Sequence, residues 1–374
     1  MTKWMFKVVS FLWVFVIHQD MAWAMSVVSA SQAGGHPPVI QGGSPRFKSF
    51  AQFLLAKQSQ ILAAVEAEDG SGVKFQVDPW VRESDGSFGF TTCLEDGDLV
   101  EKGAASVSII HGRLTEERAK AMSARSGTET KAGQAYNAAA LSLVFHSRSP
   151  LVPTFRADVR YFEVDGAEGP GDGPAETIGW FGGGADLTPY YLVDDDCVKF
   201  HSAYKALCDA HEGSLLGYAK SDSRSLYRDL KARCDDYFRL PARDNERRGV
   251  GGIFFDDFPA QADSSEESLN KAQAFCEAVA DAWMPSWLPI CARQRDLPYT
   301  PEQREWQLLR RGRYLEFNLL YDRGVRFGLV PGGRTEAVMV SAPPLIRWKY
   351  NFTPDPGSDE EKLVEVLRNP REWI

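Results

Sequence analysis

At 374 residues, 44% of them hydrophobic and 25% charged, the chain has the composition of a globular protein and length for one large domain or two ordinary ones. Its formal net charge of -9 excludes a general nucleic-acid binder, because phosphate backbones attract basic surfaces. Arginine clusters inside so acidic a chain point instead to a small anionic ligand. Cys93, Cys197, Cys208, Cys234, Cys276 and Cys291 have no CxxC spacing, so they read as reduced structural thiols, with no zinc site.

Residues 1–44 read as a targeting leader. A basic start at Lys3 precedes an apolar run from Trp4 to Ile17 and a small-x-small site at Ala22-Trp23-Ala24, the form of a secretory signal peptide. Met25 to Lys48 then lacks acidic residues, like a short transit segment. The pair suits a bipartite address to a plastid, with mitochondrial or cytoplasmic residence as alternatives. Residues 45–374 form the folded domain.

In chain order, apolar residues at helical spacing predict a helix over Phe47 to Glu68. Strands are expected at Phe88 to Leu94 and Asp98 to Ile110, joined by a Glu95-Asp96-Gly97-Asp98 turn. A short helix over Thr115 to Ser123 leads to strands at Ala138 to His146, Thr154 to Val164 and Thr177 to Phe181. Gly182 to Gly184 then reads as a tight turn, and Gly166 to Pro174 as a surface loop.

Helices follow at Asp194 to His211 and Leu215 to Leu240, a strand at Val250 to Phe255, and a helix over Glu266 to Cys291 broken near Pro285 and Pro289. Pro301 to Leu309 is helical. Tyr314 to Tyr321 alternates like a strand, Ala337 to Ser341 reads as another, and Ser358 caps a final helix. Strands in hairpin-linked runs with helices gathered apart favour a single α+β domain, a large mainly antiparallel sheet flanked by helices on both sides.

The densest concentration of charge is Arg310 to Tyr350, with seven arginines and the pair Asp322-Arg323 between the two expected strands. As a hairpin rim it would carry solvated arginines. If buried, its ionised groups must be paired or used. Asp256-Asp257, after a glycine turn and an apolar strand, are paired carboxylates that can share a proton, bind a divalent ion or cap the next helix. His201 and His211, ten apart on one helix, do not share a metal-ligand face, whereas His146 beside Arg148 is a candidate for anion binding or proton transfer. No GxSxG, HExxH, dinucleotide or phosphate-loop pattern occurs.

With those residues laid out, the chain resembles the oxygen-dependent coproporphyrinogen III oxidases from about Phe50 to Ile374. The resemblance is carried by WFGGGADLTPYY (Trp180 to Tyr191), Phe200-His201, CDDYF (Cys234 to Phe238), ERRGVGGIFFDD (Glu246 to Asp257), RRGRYLEFNLLYDRG (Arg310 to Gly324), GGRTE (Gly332 to Glu336) and PPLIRWKY (Pro343 to Tyr350), in the family's order. It implies oxidative decarboxylation of two propionates of coproporphyrinogen III to vinyl groups, giving protoporphyrinogen IX on the way to haem or chlorophyll. Dioxygen is the co-substrate, no organic cofactor is implied, and a divalent metal is left open, with His146 and His201 as the remaining candidate ligands.

The resemblance further implies a homodimer through the region Tyr314 to Lys349. It assigns Asp322, Asp186 and His146 to chemistry and Ser142, Arg160, Arg323, Gly332, Gly333 and Arg334 to substrate binding. Two departures stand out. The family pattern H-x-N-x-R falls on Arg156 to Arg160, so Arg156 replaces a histidine and Asp158 an asparagine, and a further family histidine falls at Ala242. Arginine cannot donate a proton at neutral pH, and Asp158 would repel a propionate unless Arg156 or Arg160 compensates. The alternative is therefore a retuned or non-catalytic relative that binds a porphyrinogen without completing both decarboxylations.

Overall fold

The computed structural model describes residues 39–126, 130–166, 177–215, 225–259, 265–329 and 334–374. Most of the expected leader, most of the Gly/Pro-rich loop, and Gly332 and Gly333 lie outside the described residues.

Helix α1 (Pro45–Asp69) begins where Ser44 accepts a hydrogen bond from the Phe47 amide and Pro45 occupies the first turn, and it stops at Gly70, whose φ of 74° suits a residue without a Cβ. Its neighbours in the chain are strands β1 (Gln76–Arg82), β2 (Ser87–Glu95) and β3 (Val100–Arg113), then helix α2 (Glu116–Ser126) and strands β4 (Ala135–Ser147), β5 (Thr154–Val164) and β6 (Ile178–Thr188). Helices α3 (Asp194–Leu215) and α4 (Leu226–Tyr237) follow, then a two-residue hairpin, β7 (Arg239–Leu240) with β8 (Glu246–Arg247), and strand β9 (Gly251–Phe258). Helices α5 (Glu266–Gln294), α6 (Pro301–Leu320), α7 (Arg323–Gly328), α8 (Thr335–Met339) and α9 (Asp359–Arg368) complete the chain.

Seven strands form one antiparallel sheet in the order β1-β2-β3-β4-β5-β6-β9. Side chains alternate between faces, so register decides which residues meet. The odd-numbered residues Val107, Ile109, Leu141, Leu143, Phe145, Phe155, Val159, Tyr161, Phe181 and Phe255 point to one face and are buried under α1, α3 and α5. The opposite face is partly covered by α6 and by α4, which straddles β9: its Leu226, Tyr227 and Leu230 join the main core, while Cys234 packs with Phe238, Phe254 and Phe317 on the other side. The α+β expectation, with helices on both faces of a mainly antiparallel sheet, holds.

Several elements differ from the expectation. Tyr314 to Tyr321 is not a strand; its residues to Leu320 are the second half of α6, a helix that Thr300 and Gln303 start with a reciprocal capping box. Leu315, Phe317, Leu319 and Tyr321 alternate as in a strand, but the buried residues are Tyr314, Phe317 and Asn318, which share one face only at the helical period, and their burial selects the helix. Ala337 to Ser341 is likewise not a strand, since Ala337 to Met339 end helix α8. Gly182 to Gly184 are not a turn but the middle of β6. Helix α5 runs through Pro285 and Pro289 without a break, because buried Trp283, Trp287 and Ile290 lock it against the sheet. In the span Leu215 to Leu240 the described helix is only Leu226–Tyr237. Edge strand β1, with Pro79 at its centre, has no counterpart in the sequence reading.

Candidate active site

On the second face, two cross-strand rows of small side chains make a floor. One row runs Ser106, Ser142, Asp158, Gly184 in register; the next runs Trp80, Gly89, Ser108, Ala140, Arg160, Gly182. Neighbouring strands lie about 4.8 Å apart, so the longer row, six strands wide, spans roughly 24 Å. Ser142 is exposed although β4 is the central strand of seven, so this part of the face lies open. The glycines matter because a Cβ on Gly89 would stand 2.7 Å from the Trp80 indole, and one on Gly182 would stand 2.8 Å from the Arg160 guanidinium. Trp80 and Arg160 therefore lie down on the floor at opposite ends.

Beyond Trp80 the rim carries Arg334, the residue before α8, whose Nη2 is 2.5 Å from Asp78 Oδ2 of β1. At the far end of the floor the charges close into a ring. Asp158 is bracketed by Arg156 and Arg160, both in direct contact with it. Arg160 also reaches Asp256 at 3.0 Å, and Asp256 is 3.1 Å from Arg323. Arg323 is the chain neighbour of Asp322, which lies 3.9 Å from Arg156. Three aspartates and three arginines thus alternate around a loop that joins β5, β9 and the start of α7. Burial works against the charged guanidiniums of Arg156 and Arg160, but for Arg156 the fields of Asp158 and Asp322, and for Arg160 those of Asp256 and Asp158, outweigh it and raise both pKa values. The compensation that Asp158 needs is therefore present twice over, and Asp256 belongs to the ring and not to a helix cap.

Asp322 is the cap of α7: its Oδ1 accepts from the Val325 amide at 2.9 Å, and the residue is 5% exposed. Asp186 stands differently. It is fully buried, and its Oδ2 accepts from Nε and Nη2 of Arg248 at 3.2 and 2.8 Å. Arg248 lies over the rings of Phe238, Tyr314 and Phe317 at 4.1, 4.6 and 5.0 Å and donates to Asn318 on α6. Two further arginines of α6 are buried in pairs, Arg310 with Glu246 at 2.5 Å and Arg311 with Glu101 at 2.7 Å. These are not the solvated arginines of a rim.

His146 is buried at the end of β4, with Nε2 3.0 Å from the Ser341 carbonyl and its ring edge-on to Tyr314. Burial, and then the Arg311 charge, push its pKa well below the usual histidine value, so the ring is neutral and donates to that carbonyl. His201 sits in another cluster, with Nδ1 2.8 Å from the Tyr227 hydroxyl and its ring stacked on Trp373. Burial, and then Lys231, push its pKa down to about 3. The two histidines share no contact residue, and among the described residues no group of three or more His, Cys, Asp or Glu is placed to hold a metal ion.

The structure thus brings Ser142, Arg160, Asp322 and Arg323 to one open floor, puts Arg334 on its rim, and buries Asp186 and His146 further along the same face, close to Tyr314 of α6. Arg156, Asp158 and Asp256 join Arg160 in the ring, while Arg248 and Trp80 are site residues that the sequence reading did not single out. Arg248 was visible only as the second arginine of an unresolved motif, and Trp80 belongs to the unread edge strand.

Comparison with known proteins agrees with the motif resemblance. The family model for coproporphyrinogen III oxidase matches residues 49–373. The oxygen-dependent coproporphyrinogen-III oxidase of Drosophila melanogaster is 42% identical over 324 residues, 86% of this chain and 76% of the fly protein. The human protein, named oxygen-dependent coproporphyrinogen-III oxidase, mitochondrial, is 42% identical over 347 residues, 90% of this chain and 71% of its own length, and its mouse counterpart is 42% identical over 324 residues, 86% of this chain and 67% of its own. A match that spans the whole sheet and the segments carrying the ring, with the site described above on the sheet's open face, places this chain in the coproporphyrinogen III oxidase family.

Proposed function

We propose that the protein is an oxygen-dependent coproporphyrinogen III oxidase, which binds its substrate flat against the floor between Trp80 and the charge ring. The observation that carries this reading is the open patch of Ser, Ala and Gly side chains on a central sheet, bordered by arginines at both ends; such a surface takes a broad ring with acidic arms. For each of two propionates the reaction is –CH2–CH2–COO⁻ + O2 + H⁺ → –CH=CH2 + CO2 + H2O2. An electron-rich tetrapyrrole can meet oxygen directly, so the protein's work is positioning, charge neutralisation and proton handling, with no organic cofactor and dioxygen as co-substrate.

Within this proposal Asp322 accepts pyrrole N–H bonds and draws a proton from the ring, because it is the carboxylate at the floor whose Oδ2 makes, among the described residues, only a long contact, to Arg156. Arg160, Arg323 and Arg334 hold propionates, and Ser142 contacts the tetrapyrrole ring, with Gly332 and Gly333 as the further substrate contacts that the family resemblance implies. Asp186 acts through Arg248, and His146 through the Ser341 carbonyl. A divalent metal, if one takes part, has only His146 and His201 from the family's histidines, and they stand in separate clusters. We propose haem biosynthesis in an organelle, in keeping with the mitochondrial names of the human and mouse relatives, with a plastid as the finer alternative. We also propose a homodimer through Tyr314 to Lys349, where Leu320, Leu345 and Trp348 are 57%, 54% and 53% exposed.

The test is anaerobic binding of coproporphyrinogen III followed by admission of air and chromatography of the products. Protoporphyrinogen IX is expected, and binding with no product would leave the chain a porphyrinogen-binding relative. Light scattering during gel filtration decides the dimer.

A further inference from the structure

The ring has a property that its separate ion pairs do not. Its arginines are the cations nearest the floor's far end, yet each already holds an aspartate of the chain. Asp158 is 5% exposed, touches both Arg156 and Arg160, and lies in the floor row between Ser142 and Gly184. It occupies the place between two guanidiniums that a ligand carboxylate would take. With Asp322 and Asp256 included, the three negative and three positive charges cancel.

We propose that Asp158 is a specificity-determining residue: an internal carboxylate that competes with the substrate's propionates for Arg156 and Arg160, and so limits how much each acidic arm of a porphyrinogen adds to binding. This rests on the floor being the porphyrinogen site. A ligand arm that reaches this end must displace Asp158 or share an arginine with it, and an anion entering a neutral ring gains less than one entering a ring with a spare positive charge. A ring whose own six described charges balance therefore penalises each additional carboxylate at this end, while Arg334 at the opposite rim, about 20 Å away across the strands, is unaffected.

The experiment measures fluorescence-quench titrations of the full chain with two stable porphyrins, coproporphyrin III with four carboxylates and mesoporphyrin IX with two. The variants are Asp158→Asn, which keeps shape and removes one negative charge, and Arg156→Gln, which removes one positive charge. The inference expects opposite signs. Asp158→Asn tightens coproporphyrin III by about tenfold and mesoporphyrin IX by less, whereas Arg156→Gln weakens coproporphyrin III more than mesoporphyrin IX. A purely structural role predicts that both variants weaken both ligands, and that result, or an unchanged ratio of the two affinities, overturns the inference. If Asp158→Asn does not fold, Asp158→Ser, which also removes the negative charge, is read by the same sign and ratio. Ser142→Trp, which fills the floor without touching the ring's charge, separates the two readings. If it leaves binding of both porphyrins unchanged, the floor is not the site. If it blocks binding while Asp158→Asn leaves the ratio unchanged, the site stands and the role of Asp158 falls.

Discussion

Replacing Arg248 with methionine tests whether Asp186 is an anchoring group or a proton-handling one. Arg248 is 1% exposed and makes three hydrogen bonds, two to Asp186 and one to Asn318. Without it, Asp186 keeps only a 3.4 Å contact from the Thr188 hydroxyl, and its Oδ1 already has no partner among the described residues. Leaving a buried carboxylate uncompensated costs about 3–5 kcal/mol, a large part of the roughly 5–15 kcal/mol that holds an ordinary domain folded. Methionine fits among Phe238, Tyr314 and Phe317, so removing both charges, as Arg248→Met with Asp186→Asn, should recover about 2 kcal/mol or more relative to the sum of the single changes. Urea unfolding at pH 7.5, followed by tryptophan fluorescence, gives the four free energies of the cycle. Single losses under about 1 kcal/mol, or additive ones, would refute the account of the pair. The kinetic arm is independent. If Asp186 acts only through Arg248, the double variant keeps turnover within about tenfold of the parent, some 1.4 kcal/mol in barrier. A stable double variant that has lost turnover altogether would make Asp186 a proton-handling residue.

Further outcomes follow from other parts of the site. Asp322→Asn keeps a side-chain acceptor for the Val325 amide, so it should fold with a loss within about 1 kcal/mol yet abolish turnover; full activity would remove Asp322 from the chemistry. Gly182→Ala and Gly184→Ala should differ in kind. A Cβ on Gly184 meets the Ile253 carbonyl oxygen at 2.3 Å and the Phe254 Cα at 3.1 Å, so that variant should lose stability in thermal melts. At Gly182 the obstacle is the movable Arg160 side chain, so the substitution should raise KM with the fold intact. His201, with its pKa depressed to about 3 from an ordinary 6.5, gives stability that is complete above pH 6.5. Stability then falls as pH drops toward 3, because the unfolded chain takes up the proton first. At pH 5 the loss is about 2 kcal/mol, and His201→Gln should flatten the stability profile between pH 6.5 and 5 by close to one proton.

Much of the fold could be read from the chain because local rules and tertiary packing agreed there. Strand β5 was placed at Thr154 to Val164 as observed, and Ser358 caps the last helix by accepting from the Glu361 amide. Where the two diverged, packing prevailed. The run from Tyr314 to Leu320 satisfies periods of two and of 3.6, and the buried partners of Tyr314, Phe317 and Asn318, Arg248 and Phe238 among them, make the helical face the better one. The glycine triplet lies inside a strand because β5 and β9 approach it on both sides, where a Cβ on Gly183 would be 2.5 Å from the Asp158 carbonyl oxygen. The motifs pointed to Ser142, Arg160, Asp322 and Arg323, but not to the ring that joins the last three. That ring depends on register: Arg156, Asp158 and Arg160 share a face of β5, while Asp256, Arg323 and Asp322 come from almost 100 residues and more further along the chain.

Strand β1 carries a consequence for the behaviour of the protein at high concentration. As the last strand of a seven-stranded sheet it presents a backbone edge that no strand among the described residues pairs with, open to another extended chain. Pro79 has no amide hydrogen to offer, Arg82 and Asp85 place charge beside the strand's end, and Asp78 is tied to Arg334 across the rim. The bridge that closes one end of the proposed porphyrinogen floor thus also guards the sheet against adding a strand from a second molecule, so a change made at Arg334 or Asp78 to test that proposal also bears on self-association.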